Sequence, residues 1–412
     1  MALRRNIILS VLGALAQRGA ALFGGVYVAR YLGGEILGGY ALILSNIYMF
    51  GAFATFGITP VASKYISESR GRGDKLIIDI VACVFLISLA VGLALTLFIF
   101  LLSENIALYL YRRPEFEFYL KVSAPSILFM ALAAWNVGVL SGYEKFSIIS
   151  KQNAINGVVT ATLIILCGTI WGLKGIAAAV VLSQFLFFIT TLISTLPYLE
   201  GLLGSIKNYS FISQLFLTTS FSFPHLLTGL SQGLTNWICT LLLSRSNDGL
   251  NELALFHIAN QWYSLVLFIP NVAATVLLPH LSRRGSSGLF DIVKSYAMMA
   301  VVAILFLILG APLISGLYGE VLKGRELILI ITFITGAVVA IKSPIEQALL
   351  SNNKVWLLFQ INLIFLSIFL AGAYAFLSMG TLGVLSSRLV GYVLFGFMIF
   401  FAYYMLYGRK YE

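Results

Sequence analysis

Residues 172–176 of the chain are GLKGI, and residues 380–384 are GTLGV, 208 positions later. A second match lies at a similar offset. In this match, the two ends of one apolar segment resemble the two ends of another. These ends are residues 37–41 (LGGYA) and 60–64 (PVASK) in the first copy, and 254–258 (ALFHI) and 279–283 (PHLSR) in the second. The order and spacing of the matches predict that the chain contains two copies of one unit in the same orientation.

The composition of the chain restricts the class of protein. Of 412 residues, 60% are hydrophobic and only 10% are charged, whereas soluble domains carry roughly 25% charged residues. So little charge is compatible with a folded chain only where lipid covers the apolar surface. Soluble enzymes, nucleic-acid-binding proteins and disordered tails are excluded, and the net charge of +10 does not indicate a nucleic-acid partner.

The apolar segments predict an all-α integral membrane protein with about twelve transmembrane helices, each of roughly 20 residues. Parallel repeats of six helices, related by an axis along the membrane normal, are typical of transporters whose halves rock around a central site. The predicted lobes are residues 1–205 and 206–412. The predicted helix centres lie near Arg18, Tyr48, Leu89, Ala131, Leu163, Phe185, Thr228, Leu265, Ala303, Thr335, Leu366 and Leu394.

Basic residues predict the orientation of the chain. With the N-terminus in the cytoplasm, the inner segments hold 15 of the 26 basic residues, the outer segments hold 8, and 3 lie within predicted helices. The positive-inside rule then places both termini in the cytoplasm, for a bacterial protein of the inner membrane. The three cysteines lie apart inside apolar segments, so no disulfide framework and no metal site are expected.

Two stretches resemble a known family. Residues 31–41 (YLGGEILGGYA), followed by 56–60 (FGITP) and a basic loop, are similar to the start of Wzx-type polysaccharide flippases. The loop 140–146 (LSGYEKF), before a helix with Asn153 and Asn156, is similar to the same family. The resemblance covers nearly the whole chain and implies the multidrug/oligosaccharidyl-lipid/polysaccharide (MOP) exporter superfamily, with a MATE-like fold.

This resemblance also implies a function. Wzx-type proteins carry undecaprenyl-diphosphate-linked oligosaccharide repeat units from the cytoplasmic to the periplasmic leaflet, for O-antigen, lipopolysaccharide or capsule assembly. The implied partners are this lipid-linked oligosaccharide, the bilayer, a polysaccharide polymerase and a chain-length protein. No cofactor is implied.

Such a substrate requires cations for its diphosphate and hydrogen-bonding groups for its sugars, and the first helix offers both. Arg18 lies near mid-membrane, where a charge normally faces a wet cavity or a partner, and its planar guanidinium can donate two hydrogen bonds to a phosphate. Gln17 belongs to a small, polar stripe of the same helix. Pairing of Arg18 with a carbonyl or a distant acid is the structural alternative.

The second half of the chain carries the other candidates. Lys342 and Glu346, one helical turn apart, are predicted as a phosphate anchor and a coupling-ion ligand, or as a purely structural pair. Arg388 either receives the diphosphate late in transport or extends toward the membrane surface. The predicted sugar-binding residues, which could instead join helix to helix, are His225, Gln232, Asn236, His257 and Asn260.

Direct use of ATP is unsupported, because the chain has no G-x-x-x-x-G-K-[ST] motif. Three other functions compete with the flippase, namely a drug or cation antiporter, a lipid II flippase and a membrane-embedded enzyme. A MATE-type drug or cation antiporter should have acidic residues in helices one or seven, which contain none, and Arg18 would repel a cationic drug. A lipid II flippase usually has two further helices. A membrane-embedded polymerase or ligase would need a larger outer loop, so the chain is not expected to be an enzyme.

Overall fold

The computed structural model describes residues 2–55, 57–69, 74–199, 231, 233–246, 248–268, 270, 289–352 and 354–407. These residues form helices joined by short turns, and no strand occurs among them. The helices are α1 (Ala2–Tyr27), α2 (Gly34–Ala54), α3 (Ile58–Ser69), α4 (Asp74–Asn105), α5 (Glu117–Ser123), α6 (Pro125–Gly142), α7 (Phe146–Thr195), α8 (Gly233–Ser244), α9 (Gly249–Val266), α10 (Leu289–Leu317), α11 (Leu327–Ser351), α12 (Val355–Ala375) and α13 (Gly380–Tyr407).

Eight helical segments of the described residues are long and apolar enough to cross a membrane, and two shorter apolar helices accompany them. Nine of the twelve predicted helix centres lie within the eight segments. Leu265 and Ala303 lie in α9 and α10, and Thr228 lies outside the described residues. Large apolar side chains on them are exposed, such as Leu313 (80%) and Leu309 (78%). Contact with lipid chains is the environment that suits such side chains.

Two glycines of the internal repeat adopt the same unusual backbone conformation. Gly172 interrupts α7 with φ 58° and ψ −138°, and Gly380 begins α13 with φ 60° and ψ −140°. A side chain disfavours this region, whereas glycine enters it freely. Gly175 and Gly383 follow three residues later, and in each case a Cβ would collide with a carbonyl of the preceding helix. The matching motifs thus build the same tight helical hairpin twice.

We expect Gly172→Ala and Gly380→Ala each to destabilise the protein by about 1–3 kcal/mol, because alanine is strained at this φ and ψ. Gly396→Ala is the matched control, since Gly396 lies inside α13 and a Cβ there meets open space. Alanine at that site should be neutral or stabilising. Thermal unfolding of the detergent-solubilised variants measures the difference, and equal midpoints for all three would contradict the assigned backbone strain.

The chain divides into two compact units. Unit 1 consists of Met1–Val28 and Gly39–Trp237, and unit 2 consists of Ala29–Gly38 and Ile238–Glu412. The predicted lobe boundary at residues 205 and 206 lies outside the described residues. The connection between α1 and α2 belongs to unit 2, where a Cβ on Gly38 would collide with the backbone of Leu250.

In unit 1, small residues let pairs of helices approach closely. Gly138 and Gly142 of α6 lie against α3, next to Ala62 and Ile66, and the Trp135 indole donates to the carbonyl oxygen of Val81 in α4 at 3.0 Å. Glycine allows such close backbone approach in membrane helices. The order of these contacts shows that α3 and α6 run in the same direction.

In unit 2, α9 packs alongside α11 and α13. Gly336 of α11 lies against Val266 of α9, and the Arg325 guanidinium reaches the Glu252 carboxylate at the other end of the same pair. These contacts show that α9 and α11 run in parallel. In contrast, α12 runs antiparallel to α13, because Gly372 lies against Ser387 whereas Gly391 lies against Phe365.

Candidate functional site

The N-terminal candidates lie on α1, which packs against the first part of α7, residues 146–171. A Cβ on Gly157 would come within 2.5 Å of the Gln17 Cα, and Gly13 and Gly24 lie against Ser150 and Ala161. The polar stripe predicted from the sequence is therefore largely a seam between two parallel helices. Gln17, a predicted substrate ligand, has its backbone in this seam.

The seam has two different sides. At about 100° per residue, Arg18 lies roughly a third of a turn from the seam, next to Ala14 and Ala21. Because the two helices are parallel, the same side of the pair includes Asn153, Asn156 and Thr160 of α7. We call Arg18 together with these three residues the polar groove. Their side chains are partly buried, and Arg18 makes an interaction within the protein.

The opposite side of the seam is apolar and exposed. Phe23 of α1 is 63% exposed, and Ile155 and Val158 of α7 are 54% and 56% exposed. Beyond the polar groove, Gln152 donates to the carbonyl oxygen of Thr190 at 3.1 Å, so α7 folds back on itself there. The polar groove thus lies between α1 and the returning part of α7, whereas the apolar side is suited to lipid.

Arg388 of α13 lies in an aromatic enclosure inside unit 2 and is 5% exposed. Its Nη1 donates to the Asn260 Oδ1 at 2.8 Å. The guanidinium carbon is 5.1 Å from the ring centre of Tyr263, and the rings of Phe256 and Phe369 lie within 6 Å. Aromatic faces attract a cation, so these rings stabilise the enclosed charge. The hydrogen bond brings together two predicted ligands, Arg388 and Asn260.

Lys342 of α11 occupies a second enclosure of the same unit. Its Nζ donates to the Glu346 Oε2 at 2.5 Å and lies 4.4 Å from the ring centre of Phe395. The Lys342 side chain is 8% exposed and that of Glu346 is 32% exposed. The Tyr392 ring lies 5.8 Å from the Lys342 Nζ and stacks on Tyr263 at 6.4 Å, which joins this enclosure to that of Arg388.

The other predicted ligands are more scattered. The predicted ligand His257 is hydrogen-bonded through its Nε2 to the Nε2 of Gln261, one turn further along α9, at 3.1 Å. The predicted ligand Asn236 of α8 is exposed. His225 and Gln232 lie outside the described residues. Within the described part of the chain, no three His, Cys, Asp or Glu side chains are grouped so that they could hold a metal ion.

Sequence reasoning missed an anchor that positions Arg388. The Thr381 backbone N–H donates to the Glu252 Oε2 at 2.5 Å, and the Thr381 hydroxyl donates to the Glu252 carbonyl oxygen at 2.7 Å. Glu252 thus caps the start of α13, where a carboxylate is favoured. This anchor fixes α13 against α9 about two turns before the Arg388–Asn260 bond. In the sequence, the carboxylate of Glu252 near the start of α9 was the only indication of this anchor.

Comparison with known proteins gives a family match. The model of a family described as "Polysaccharide biosynthesis protein" matches residues 3–284. A relative from Ralstonia nicotianae, the "EPS I polysaccharide export inner membrane protein EpsE", is 26% identical over 179 residues. This match covers 40% of the chain and 40% of the relative, so the chain aligns with less than half of that protein.

Solved structures give the fold. A lipid II flippase, MurJ, in an inward closed conformation has a TM-score of 0.80 at 19% identity, over 96% of this chain and 87% of that one. An inward-facing MATE-family multidrug transporter of the MOP superfamily has a TM-score of 0.73 at 17% identity, over 97% of both chains. The predicted all-helical, MOP-type fold is confirmed.

Proposed function

Since the chain belongs to the polysaccharide biosynthesis protein family, we propose that it flips polyprenyl-diphosphate-linked oligosaccharide repeat units from the cytoplasmic to the periplasmic leaflet. The resemblance to this kind of family, drawn from residues 31–60 and 140–146, is confirmed. The chain is a multi-pass membrane protein of a transporter fold. We propose its substrate, the carrier lipid of that substrate and the direction of movement.

The placement of charge supports this proposal best. Among the described residues, Arg18, Lys342 and Arg388 lie deep in apolar helices, and the carboxylate of Glu346 is bonded to one of them. Cations within a membrane protein favour an anionic substrate. A drug or cation antiporter would require the opposite balance, and the likeness to MATE transporters concerns the fold alone. A diphosphate headgroup has the complementary charge.

In the proposed mechanism, Arg18 binds the diphosphate first. Its guanidinium donates two parallel hydrogen bonds to phosphate oxygens, while the polyprenyl chain stays in lipid. Alternating rearrangement of the two units then transfers the headgroup across the membrane. Arg388 and Lys342, which are enclosed by aromatic rings here, are proposed to contact the diphosphate only after unit 2 rearranges, and Glu346 is proposed to take a coupling cation.

The direction of movement follows from a proposed orientation with both termini in the cytoplasm. The excess of basic residues in the predicted inner segments supports it. A polysaccharide polymerase and a chain-length protein would then receive the repeat unit at the periplasmic face. Their involvement follows from the chemistry of the product, which is a lipid-linked oligomer that must still be joined to others.

Vesicles that contain the purified protein provide the test. The probe is a polyprenyl diphosphate that carries a short oligosaccharide, placed in the inner leaflet. We expect the oligosaccharide to become accessible to an external, membrane-impermeant lectin, whereas protein-free vesicles should keep it hidden. Transport of a cationic dye, without movement of the lipid-linked probe, would instead support the antiporter.

A further inference from the structure

The polar groove contains more hydrogen-bonding capacity than a diphosphate site requires. Asn153, Asn156 and Thr160 lie on one side of α7, at intervals of three and four residues, and so form a strip along the helix. A single guanidinium already provides five N–H donors for phosphate oxygens. The amides and the hydroxyl both donate and accept hydrogen bonds, which anionic oxygens alone do not require.

The strip stands beside Arg18. Contacts along the seam pair Gln17 with Gly157, so Arg18 lies close to the level of Asn156. At 1.5 Å per residue, Asn153 and Thr160 lie about 4.5 and 6 Å to either side of Asn156 along the axis. A headgroup held by Arg18 would therefore place its next chemical group along this strip.

Hydrogen bonds between helices do not explain why these polar residues form a strip. The Thr160 hydroxyl donates to the Asn156 Oδ1 at 3.4 Å, which is a bond within one helix. The Asn153 amide makes no hydrogen bond to any side chain or backbone group of the described residues. Polar groups left without partners are costly away from water, so a partly buried amide of this kind indicates a polar environment or a polar ligand.

We propose that Asn153, Asn156 and Thr160 form a binding subsite for the first sugar, the one bonded to the diphosphate that Arg18 holds. This inference rests on the proposed function and extends it to the recognition of the substrate. Sugar hydroxyls and acetamido groups both donate and accept hydrogen bonds, as the two amides do. The strip would then set the preference for the first sugar, and Arg18 would provide affinity common to all diphosphate-linked lipids.

Two probes separate the subsite from the diphosphate site. Binding of undecaprenyl diphosphate and of the same lipid bearing one N-acetylhexosamine is measured on the purified full-length protein. Asn153→Ala/Asn156→Ala should weaken binding of the sugar-bearing probe about tenfold, equal to 1.4 kcal/mol, as expected for the loss of one or two hydrogen bonds. Binding of the sugar-free probe should not change. Arg18→Ala should weaken binding of both.

Two controls address folding. Val158→Ala changes the exposed, opposite side of α7 and should bind both probes as the wild type does. Asn153→Ala alone removes no hydrogen bond within the described protein, so its thermal midpoint should be unchanged while its binding of the sugar-bearing probe falls. Equal effects of the double variant on both probes, or none on either, would overturn the subsite. Failure of the wild type to bind either probe would overturn the proposed function as well.

Discussion

Arg18→Ala should abolish export of the surface polysaccharide while leaving the protein in the membrane at its normal level. Arg18 lies in the polar groove, away from the exposed apolar side of the α1–α7 pair. Loss of one charge-assisted hydrogen bond costs about 1.5–3 kcal/mol, which is roughly tenfold to more than a hundredfold in affinity. Complementation of a strain that lacks the protein, with surface polysaccharide as the readout, measures the effect.

Two further variants sharpen this experiment. Arg18→Lys should retain part of the export, because an ammonium keeps the attraction to phosphate but loses the bidentate geometry. Lys151→Ala removes an exposed cation near the start of α7 and should export normally, which separates a specific role of Arg18 from a general effect of charge. Normal polysaccharide from an Arg18→Ala protein of native abundance would exclude Arg18 as an essential ligand.

The sequence predicted features that depend on local patterns. Helix centres such as Leu89 and Leu366 follow from the number of consecutive apolar residues. The repeated hairpins at Gly172 and Gly380 follow from a glycine motif whose backbone conformation few other residues adopt. The Lys342–Glu346 bond also follows from local spacing, because side chains four residues apart on a helix are neighbours.

Other features depend on contacts between distant segments. The stripe through Gly13, Gln17 and Gly24 is small and polar, which suits either a cavity or a close helix contact. The close approach of Gly157 in α7 to the backbone of Gln17 shows that the stripe is a helix contact. No pattern within α1 contains that information. For the same reason, the enclosure of Arg388 could not be predicted, because its rings come from two other helices.

The two enclosures of unit 2 raise the question of whether their charges stabilise the protein or serve transport. The interiors of the enclosures are aromatic, and each cation keeps an oxygen partner, Asn260 or Glu346. Removal of one partner from a buried ion pair leaves an uncompensated charge, whereas replacement of both by apolar residues is often tolerated. Paired variants at Lys342 and Glu346 can therefore separate the two roles.

Glu346→Leu should destabilise the protein by about 3 kcal/mol, the lower end of the range for breaking a buried pair, because this carboxylate is 32% exposed. The lysine would be left with aromatic rings, which compensate only in part. Lys342→Met/Glu346→Leu should recover most of the stability, since no unpaired charge remains. Thermal unfolding in detergent measures both, with the exposed, salt-bridged pair Lys323–Glu320 as the control, where the same changes should have little effect.

Transport by the double variant then decides the role of the pair. If Lys342 anchors phosphate and Glu346 takes a coupling cation, the double variant should be nearly as stable as the wild type and yet fail to move the lipid-linked probe in vesicles. A stable double variant that transports normally would reduce the pair to a structural element. A double variant less stable than Glu346→Leu would contradict the burial argument itself, because apolar replacement of both partners leaves no charge in the enclosure.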